Sequence, residues 1–256
     1  MQEILVIKYG GNAIEDINSL QNFAAALRKL RQIEKRKIVL IHGGGPQINH
    51  WLDKTNLNSK FIDGQRYTDE KALEVVEMTL CGNVNKAIVR ALLKENIPSV
   101  GISGEDGNTL EAVQNHNLGL VGEIKQVNCK LILQLLEADF LPVIAPLGIN
   151  EDKNTALNIN ADYCAANIAA ALNADECLFM SNVDGILGEN KTLINQANSS
   201  EIKRLIKDGI ISGGMIPKVN CALFALEKQV KKVRIINGEN PENLLIFNTL
   251  GTEIVL

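Results

Sequence analysis

Residues 4–11, ILVIKYGG, and residues 38–45, IVLIHGGG, decide the fold of this 256-residue chain. Each begins as a short run of Ile, Leu and Val and ends in consecutive glycines. Between them, apolar residues from Leu20 to Ile33 recur at the spacing of an amphipathic helix. A strand, a helix and a second strand in this order are typical of a βαβ unit, which predicts a parallel sheet.

The same alternation of strands and helices continues to the end of the chain. The pattern predicts a helix over 70–95, a short strand over 99–102 and a turn-rich stretch up to residue 122. Strands over 141–149 and 176–183 are expected on either side of an Ala-rich helix at 162–172. A helix over 219–230 and strands over 232–236, 244–247 and 252–256 are expected to follow. We therefore expect an α/β fold with one continuous, open, mostly parallel sheet that carries helices on both faces.

Composition restricts the partners of the chain. The net charge is −4 and aromatic residues make up only 4%, which argues against nucleic acid because such binders present basic patches and aromatic stacking platforms. No uncharged run reaches the length of a membrane span, and the apolar run before Lys8 is too short for a signal peptide. We expect a cytoplasmic protein with no nucleic-acid or membrane partner.

The cysteine pattern favours a structural role for the thiols. The five cysteines are odd in number, far apart and without a C-x-x-C pair, which argues against a disulfide framework or a zinc knuckle. Most of them are predicted to be buried core thiols.

Glycines cluster directly after three predicted strands, at 10–11, 43–45 and 101–107. Ligands of open α/β sheets bind outside the carboxyl ends of strands, where glycine lets backbone N–H groups approach an anion. Glycine also ends strands as an ordinary turn residue, but the repetition favours anion binding. The P-loop, dinucleotide-binding and protein-kinase signatures are all missing, so a phosphate site must use another arrangement.

Charged and amide side chains stand beside these turns. Lys8 ends the first strand, and Lys218 lies in the segment SGGMIPK just before a predicted helix. A lysine taken alone is more often an exposed surface residue, and the position of these two beside glycine-rich turns is what favours a functional role. Asp162, in the segment LNINAD, suits a helix cap or a carboxylate that holds two lysines. Arg66 suits bidentate hydrogen bonding to a substrate carboxylate or a salt bridge with a neighbouring aspartate. Asn158 suits a contact with the substrate.

Together these motifs resemble the amino acid kinase family, in particular its N-acetyl-L-glutamate kinase branch. The matching segments, in chain order, are IKYGG, HGGGPQI, DGQRYTDE, VVEMTLCGNVNK, GISGEDG, LNINAD and GGMIPK. The resemblance as a whole runs from residue 4 to about residue 238. The resemblance implies a three-layer αβα sandwich of the carbamate kinase type. It also implies ATP-dependent phosphorylation of the side-chain carboxylate of N-acetyl-L-glutamate, in arginine biosynthesis.

The resemblance implies three catalytic side chains and two catalytic backbone groups. Lys8 and Lys218 would neutralise charge on the transferred phosphoryl group, and Asp162 would orient both ammonium groups. The backbone N–H groups of Gly11 and Gly44 would contact the moving phosphoryl oxygens.

Substrate contacts follow from the same resemblance. Gly44 and Gly45 would touch the substrate, while Arg66 and Asn158 would fix its α-carboxylate and acylamino group. The acceptor carboxylate is ionised at neutral pH and so requires no general base.

The resemblance divides the chain into an N-terminal lobe, residues 1–173, for the acyl amino acid and for dimerisation, and a C-terminal lobe, residues 174–256, for ATP. The expected nucleotide-binding residues are Ser181, Asn182, Val183, Asp184, Gly185, Ile186, Leu187, Ile210, Ile211 and Ser212. Many relatives have Asp at the position of Asn182. Magnesium would be held by ATP phosphates and water, so no protein metal ligand is expected.

Assembly and substrate leave alternatives open. Because the first strand begins by residue 4, without the N-terminal helix of arginine-inhibited hexameric relatives, we expect an arginine-insensitive homodimer. The same chemistry on N-succinyl-L-glutamate, or on an aminoadipate or glutamate attached to a carrier protein, is an alternative. A non-catalytic nucleotide-binding regulator is a second alternative, disfavoured because Lys8, Asp162 and Lys218 are all present.

Overall fold

The centre of the molecule is an eight-stranded, mostly parallel sheet. The computed structural model describes residues 2–10, 17–62 and 64–255. The strands, in spatial order, are β12 (Gln196–Asn198), β14 (Thr252–Val255), β13 (Lys232–Asn237), β11 (Glu176–Ser181), β1 (Ile4–Tyr9), β2 (Lys37–His42), β8 (Leu141–Ala145) and β5 (Ser99–Ser103). All neighbouring pairs are parallel except β13 and β14.

Helices cover both faces of this sheet. Their bounds are α1 Ile17–Ile33, α2 Gly45–Lys54, α3 Glu70–Glu77, α4 Asn85–Lys94, α5 Lys130–Glu137, α6 Ala161–Ala171, α7 Ser199–Lys207 and α8 Met215–Glu227. Side chains of a strand alternate between faces, so Val6 belongs to the core that also contains residues of α5, α6, α7 and α8, whereas Leu5 and Ile7 belong to the core on the α1 and α4 side. The result is the three-layer αβα sandwich that the sequence predicts.

A second, four-stranded sheet and a hairpin lie beside this core, which corrects the prediction of one continuous sheet. The second sheet contains, in spatial order, β10 (Ala156–Asn158), β9 (Leu147–Asn150), β6 (Leu110–Gln114) and β7 (Gly122–Val127), and the hairpin pairs β3 (Lys60–Ile62) with β4 (Gln65–Tyr67). The stretch before residue 122, predicted as turns, thus contains β6. The strand predicted over 141–149 is two strands in different sheets, because Pro146 between them has no N–H for a ladder.

Two further local predictions need correction. The helix predicted over 70–95 contains a π-helical turn, Met78–Val84, between α3 and α4. The strand predicted over 244–247 is wrong, because 3₁₀ turns occupy Pro241–Leu245 and Phe247–Thr249. Asn240 caps the first of these turns, and spacing by three buries Leu244 and Phe247 together on the α1 face.

Helices α2, α5 and α7 were not predicted from the sequence. Among the described residues, no helix combines the length and the apolar character that crossing a bilayer requires.

Cys164, Cys177 and Cys221 are buried, while Cys81 and Cys129 are half-buried. The prediction that most cysteines are core thiols is therefore confirmed.

Candidate active site

The candidate site lies where the direction of strand addition changes. From β1 the chain continues through α1 to β2 on one side, whereas from the neighbouring β11 it continues through α7 and α8 to β13 on the other side, so the connections leave these two adjacent strands in opposite directions. A crevice forms at the carboxyl ends of strands at such a switch point. Lys8 is the second-last residue of β1 and pairs in register with Ile41 of β2 and Phe179 of β11.

Lys8, Asp162 and Lys218 form a compact charged triad in this crevice. Asp162 Oδ1 lies 2.9 Å from Lys8 Nζ, and Asp162 Oδ2 accepts a 3.0 Å hydrogen bond from Lys218 Nζ. The side chains of Lys8 and Asp162 are only 10% and 8% exposed, and that of Lys218 is 21% exposed. The two ammonium groups therefore stand on either side of one buried carboxylate.

Helix beginnings place two members of the triad. Asp162 lies in the first turn of α6, whose N-cap is Asn160; the Asn160 side chain accepts hydrogen bonds from the N–H groups of Asp162 and Tyr163. The capping role considered for this segment thus belongs to Asn160, which leaves the Asp162 carboxylate free to meet the lysines. Lys218 lies in the first turn of α8.

Electrostatics keep Asp162 ionised. Burial alone would raise the pKa of this carboxyl group, but the charges of Lys8 and Lys218 oppose burial and lower the pKa to about 2. The triad therefore carries a net charge of +1 at neutral pH. A positive, partly desolvated crevice suits a transferred phosphoryl group.

Gly10 makes room for the Lys8 ammonium. A Cβ atom at residue 10 would lie 2.6 Å from Lys8 Nζ. Glycine at residue 10 therefore leaves the space that the Lys8 ammonium group occupies in this position. Gly11, predicted to contact the phosphoryl group, lies outside the described residues.

A glycine turn joins β2 to α2 next to the triad. The Gly43 N–H donates to Tyr9 O over 2.8 Å, which ties this turn to the end of β1. Gly44 is buried, and a Cβ atom there would lie 2.6 Å from Leu80 of the π-helical turn. No described residue accepts a hydrogen bond from the Gly44 N–H, which stands at the positive end of α2.

A cavity of about 220 Å³ opens beside the glycine turn. It brings together all four predicted substrate residues, Gly44, Gly45, Arg66 and Asn158. Its other described walls are apolar or amide groups, including Ile48, Phe61, Leu80, Val121 and Ile159. Gly43 borders β1 and Ala161 precedes Asp162 in the chain, so the cavity adjoins the triad.

Arg66 lies in this cavity without a carboxylate partner among the described residues. Its guanidinium donates to the Ser59 hydroxyl, to Asn49 Oδ1 over 2.7 Å and to Gly45 O over 3.4 Å, and it lies 4.8 Å from the centre of the Phe61 ring. Burial lowers the pKa of the group, but an arginine remains charged at neutral pH. A buried cation held only by neutral oxygens suits an anionic ligand.

The salt-bridge alternative for Arg66 is wrong for Asp69, whose carboxylate instead caps α3 by accepting from the Ala72 N–H. Asp63 lies outside the described residues. Asn158 ends β10 and donates to the Thr68 hydroxyl over 3.0 Å, which fixes its amide at the cavity wall. Sequence reasoning missed Asn49 and Ser59, which lie 17 and 7 residues from Arg66, because no motif marks either residue as a partner of an arginine.

The third glycine cluster does not share in this site. It begins with Gly101 inside β5 and continues beyond the end of that strand, at the edge of the sheet and separated from β1 by β8 and β2. The Asp106 carboxylate accepts from the Ser103 N–H at 2.7 Å and from its hydroxyl at 3.1 Å. The Asp106 carboxylate thus occupies both donors of Ser103, and none of residues 101–107 lines the cavity, so anion binding by this cluster stays a prediction.

The predicted nucleotide residues lie on two segments, 181–187 after β11 and 210–212 before α8. Gly185 has a φ of +152°, and the Ile186 N–H donates to Thr252 Oγ1 over 2.8 Å. The side chains of Ile186 and Ile211 are buried in the core, so only their backbone can face a nucleotide.

Side-chain hydrogen bonds hold the first of these segments. Asn182 is exposed and its Oδ1 accepts from the Ser181 hydroxyl at 3.3 Å. Asp184 Oδ1 accepts from Asn237 Nδ2 over 2.8 Å, and Gly238 N–H donates to Ser181 O over 2.7 Å. These bonds link the loop after β11 to the end of β13.

Comparisons with known proteins define the class of this chain. The family model described as the amino acid kinase family matches residues 3–237. The chain therefore belongs to the amino acid kinase family.

Individual relatives narrow the comparison. The acetylglutamate kinase of Campylobacter hominis is 47% identical over 246 residues, covering 95% of this chain and 86% of the relative. The acetylglutamate kinase of Bacillus cereus is 42% identical over 255 residues, covering 99% and 97%. Among solved structures, N-acetylglutamate synthase from Neisseria gonorrhoeae, complexed with coenzyme A and N-acetyl-glutamate, superposes with a TM-score of 0.87 at 25% identity, covering 99% of this chain and 59% of that one.

Proposed function

We propose that this chain catalyses ATP-dependent phosphorylation of the γ-carboxylate of N-acetyl-L-glutamate to give N-acetylglutamyl 5-phosphate, the acyl phosphate of arginine biosynthesis. The observation that carries the proposal is the adjacency of two anion sites: the net-positive triad, and Arg66, whose guanidinium has no carboxylate partner among the described residues. A dicarboxylic substrate needs both, one for the carboxylate that reacts and one for the carboxylate that is held. The named relatives at 42–47% identity support the same conclusion.

The triad would act by charge stabilisation. Lys8 and Lys218 would contact the oxygens of the transferred phosphoryl group, while Asp162 holds both ammonium groups in place before the substrates arrive. Such preorganised charges need no reorganisation during the reaction, and phosphoryl transfer depends mainly on positioning and electrostatics. The N–H groups of Gly11 and Gly44 would supply further donors to the moving oxygens.

The cavity suits an N-acetyl group better than an N-succinyl group. Arg66 would bind the α-carboxylate, Asn158 the acylamino group, and Gly44 and Gly45 the substrate backbone. Among the described residues that line the cavity, Arg66 is the only charged side chain. A succinyl group would bring an additional carboxylate and require a second cation.

Nucleotide binding belongs to the C-terminal lobe in this proposal. The sheet supports a division near residue 174, because the strands on one side of the β1–β11 contact all come from residues 176–255. ATP would contact residues 181–187 and 210–212. Residues 1–173 would bind the acyl amino acid.

A magnesium ion would enter with ATP. The described residues contain no group of three His, Cys, Asp or Glu side chains suited to a metal, and Asp162 is engaged by two ammonium groups. This arrangement fits an ion held by ATP phosphates and water. When bound, the ion neutralises phosphate charge.

We further propose a cytoplasmic homodimer. Exposed Trp51 and Met78 line one apolar groove near α2 and the π-helical turn, which is the kind of surface that subunit contacts cover. Five free cysteines suit a reducing compartment. Light scattering at several protein concentrations, with and without arginine, measures the molar mass of the protein in solution. The mass of a monomer or of a hexamer would contradict the proposed dimer.

The proposed reaction is tested by trapping the acyl phosphate with hydroxylamine. Purified protein with ATP and Mg²⁺ receives N-acetylglutamate, N-succinylglutamate or free glutamate in parallel. We expect hydroxamate and ADP in equal amounts with N-acetylglutamate, and much slower turnover with the other two. Faster turnover of N-succinylglutamate than of N-acetylglutamate would identify N-succinylglutamate as the substrate. If none of the three compounds is turned over, a non-catalytic regulator or a carrier-bound substrate is favoured.

A further inference from the structure

His42 and Asn85 form a buried polar pair directly beneath the glycine turn. His42 is the last residue of β2 and is fully buried, and Asn85, the first residue of α4, is 1% exposed. The His42 Nδ1 atom lies 2.8 Å from Gly43 O, and Nε2 lies 3.2 Å from Asn85 Nδ2. Neither residue lines the cavity.

Chemistry fixes the protonation of this imidazole. A carbonyl oxygen can only accept a hydrogen bond, so Nδ1 must carry the proton that it shares with Gly43 O. Nε2 then accepts from the Asn85 amide. Burial lowers the pKa of His42 to about 4, so the ring is neutral at neutral pH and can both donate and accept.

Asn85 is itself held by several strand ends. Its amide donates to Val143 O over 2.9 Å and lies 3.3 Å from Ile102 O, and its Oδ1 accepts from Lys86 Nζ over 3.1 Å. The amide therefore connects β8 and β5 to the imidazole. It also follows directly on the π-helical turn whose Leu80 packs on Gly44.

The carbonyl that His42 holds belongs to the peptide unit that carries the Gly44 N–H. A trans peptide is planar, and its C=O and N–H point in opposite directions. The described chain has no cis peptide bond. Anchoring Gly43 O on His42 therefore fixes the direction of the Gly44 N–H, for which no described residue serves as acceptor.

We infer that His42, oriented by Asn85, is a positioning residue that aims the Gly44 N–H at the transferred phosphoryl group. This inference rests on the proposed function. Glycines on both sides of this peptide can adopt many conformations, so without the anchor the N–H would sample other directions. Because charge on the phosphoryl oxygens changes most in the transition state, misdirection should lower kcat more than it raises KM.

Two amide substitutions separate the anchor from the packing of the imidazole. In His42→Asn the side-chain amide can occupy the position of Nδ1 and donate to Gly43 O, whereas in His42→Gln it reaches the position of Nε2. We expect kcat of His42→Asn within about 3-fold of the wild type and kcat of His42→Gln lowered about 10-fold or more, with KM for both substrates within about 3-fold. Ile38→Val, on the same face of β2 and remote from the turn, is the control for core destabilisation and should keep its kcat.

Equal losses in the two His42 variants, or losses that follow the melting temperature across all three variants, would overturn the inference. If His42→Gln does not fold, Asn85→Ser replaces it in the kinetic test. We expect a lowered kcat with little change in KM, and an unchanged kcat would refute the inference. ¹⁵N NMR of the imidazole gives a readout independent of turnover, and a ring protonated at Nε2 would also refute the anchor. If the wild type itself forms no hydroxamate, the proposed function is wrong, which is a different outcome from failure of the His42 inference. If the wild type does turn over, the variants test the role of His42 alone.

Discussion

Asp162 Oδ1 lies 2.9 Å from the Nζ of Lys8, which joins the beginning of α6 to the end of β1. The same carboxylate binds Lys218 of α8 through its other oxygen. One buried group thus holds two cations from distant parts of the chain at the crevice. This relationship makes the site testable by single substitutions.

Removal of either lysine should abolish most turnover while the fold persists. Lys8→Ala and Lys218→Ala are each expected to lower kcat about 10²-fold or more, since each removes a preorganised charge from the phosphoryl group. Hydroxamate formation measures kcat, and circular dichroism checks the fold. Lys228→Ala, on the exposed side beyond α8, is the matched control. Near-wild-type kcat would remove that lysine from the mechanism.

Asp162→Asn should destabilise the protein in a pH-dependent way. The folded-state pKa of Asp162 is lowered from 3.8 to about 2, so its contribution to stability is complete above about pH 4 and is lost as the pH falls toward 2. The contribution is on the order of 2 kcal/mol. Urea unfolding of wild type and variant at pH 7 and at pH 2.5 measures the difference, which should shrink at the lower pH; a constant difference contradicts the assignment.

Substitution of Arg66 should affect the acyl substrate and not ATP. Arg66→Met removes the cavity's charged donor, and loss of hydrogen bonds to a charged group corresponds to about a 10- to 100-fold rise in KM for N-acetylglutamate. KM for ATP should stay within about 2-fold in the same initial-rate measurements. Arg28→Met, which removes a more exposed arginine paired with Glu95, serves as the control. A parallel rise in both KM values would indicate general disruption of the crevice.

Gly10→Ala should lower activity with little loss of stability. The new Cβ would meet the mobile end of Lys8, 2.6 Å away, and not the backbone, so the ammonium group must move and the fold need not. We expect a decrease in kcat of about 10-fold or more and a change in unfolding free energy below about 1 kcal/mol. Gly82→Ala, where a Cβ meets no atom within 4 Å, provides the comparison. Unchanged kcat in Gly10→Ala would show that Lys8 tolerates displacement.

Gly185→Ala should weaken ATP binding. Its φ of +152° disfavours a side chain, and a Cβ would lie 2.6 Å from the Thr252 hydroxyl that holds Ile186 N–H. We expect a stability loss of about 1–3 kcal/mol and a several-fold rise in KM for ATP. Gly107→Ala also places a side chain at a positive φ, +62°, but near the remote edge strand, and it should leave KM for ATP unchanged. Equal effects in both variants would attribute the change to stability alone.

Local pattern explains the parts of the fold that the sequence predicted. The sequence runs that form β1 and β2 are apolar because both faces of these strands are buried. Glycines follow them because other groups come close to the backbone there, as the Lys8 side chain does at Gly10 and the Leu80 side chain does at Gly44. The Ala-rich helix α6 and the helix α1 follow from their periodicity. The second sheet was missed because its short strands lie among turn residues, and the run over 141–149 was misjudged because periodicity does not show which sheet a strand enters.

By itself the sequence determined the layered α/β architecture, the glycine turns and the presence of two lysines beside them, because periodicity and turn chemistry act between residues that are close along the chain. Only the tertiary structure decided that Asp162 lies between Lys8 and Lys218, that Arg66 is held by Asn49 and Ser59, and that His42 anchors the Gly43 carbonyl. Apart from the Arg66–Ser59 contact, between residues seven apart, and the His42 anchor, between adjacent residues, these contacts join residues that are distant in sequence. The His42 anchor also depends on burial and on Asn85 from another element. Burial and long-range pairing are set by how the elements pack, and no local pattern encodes that packing.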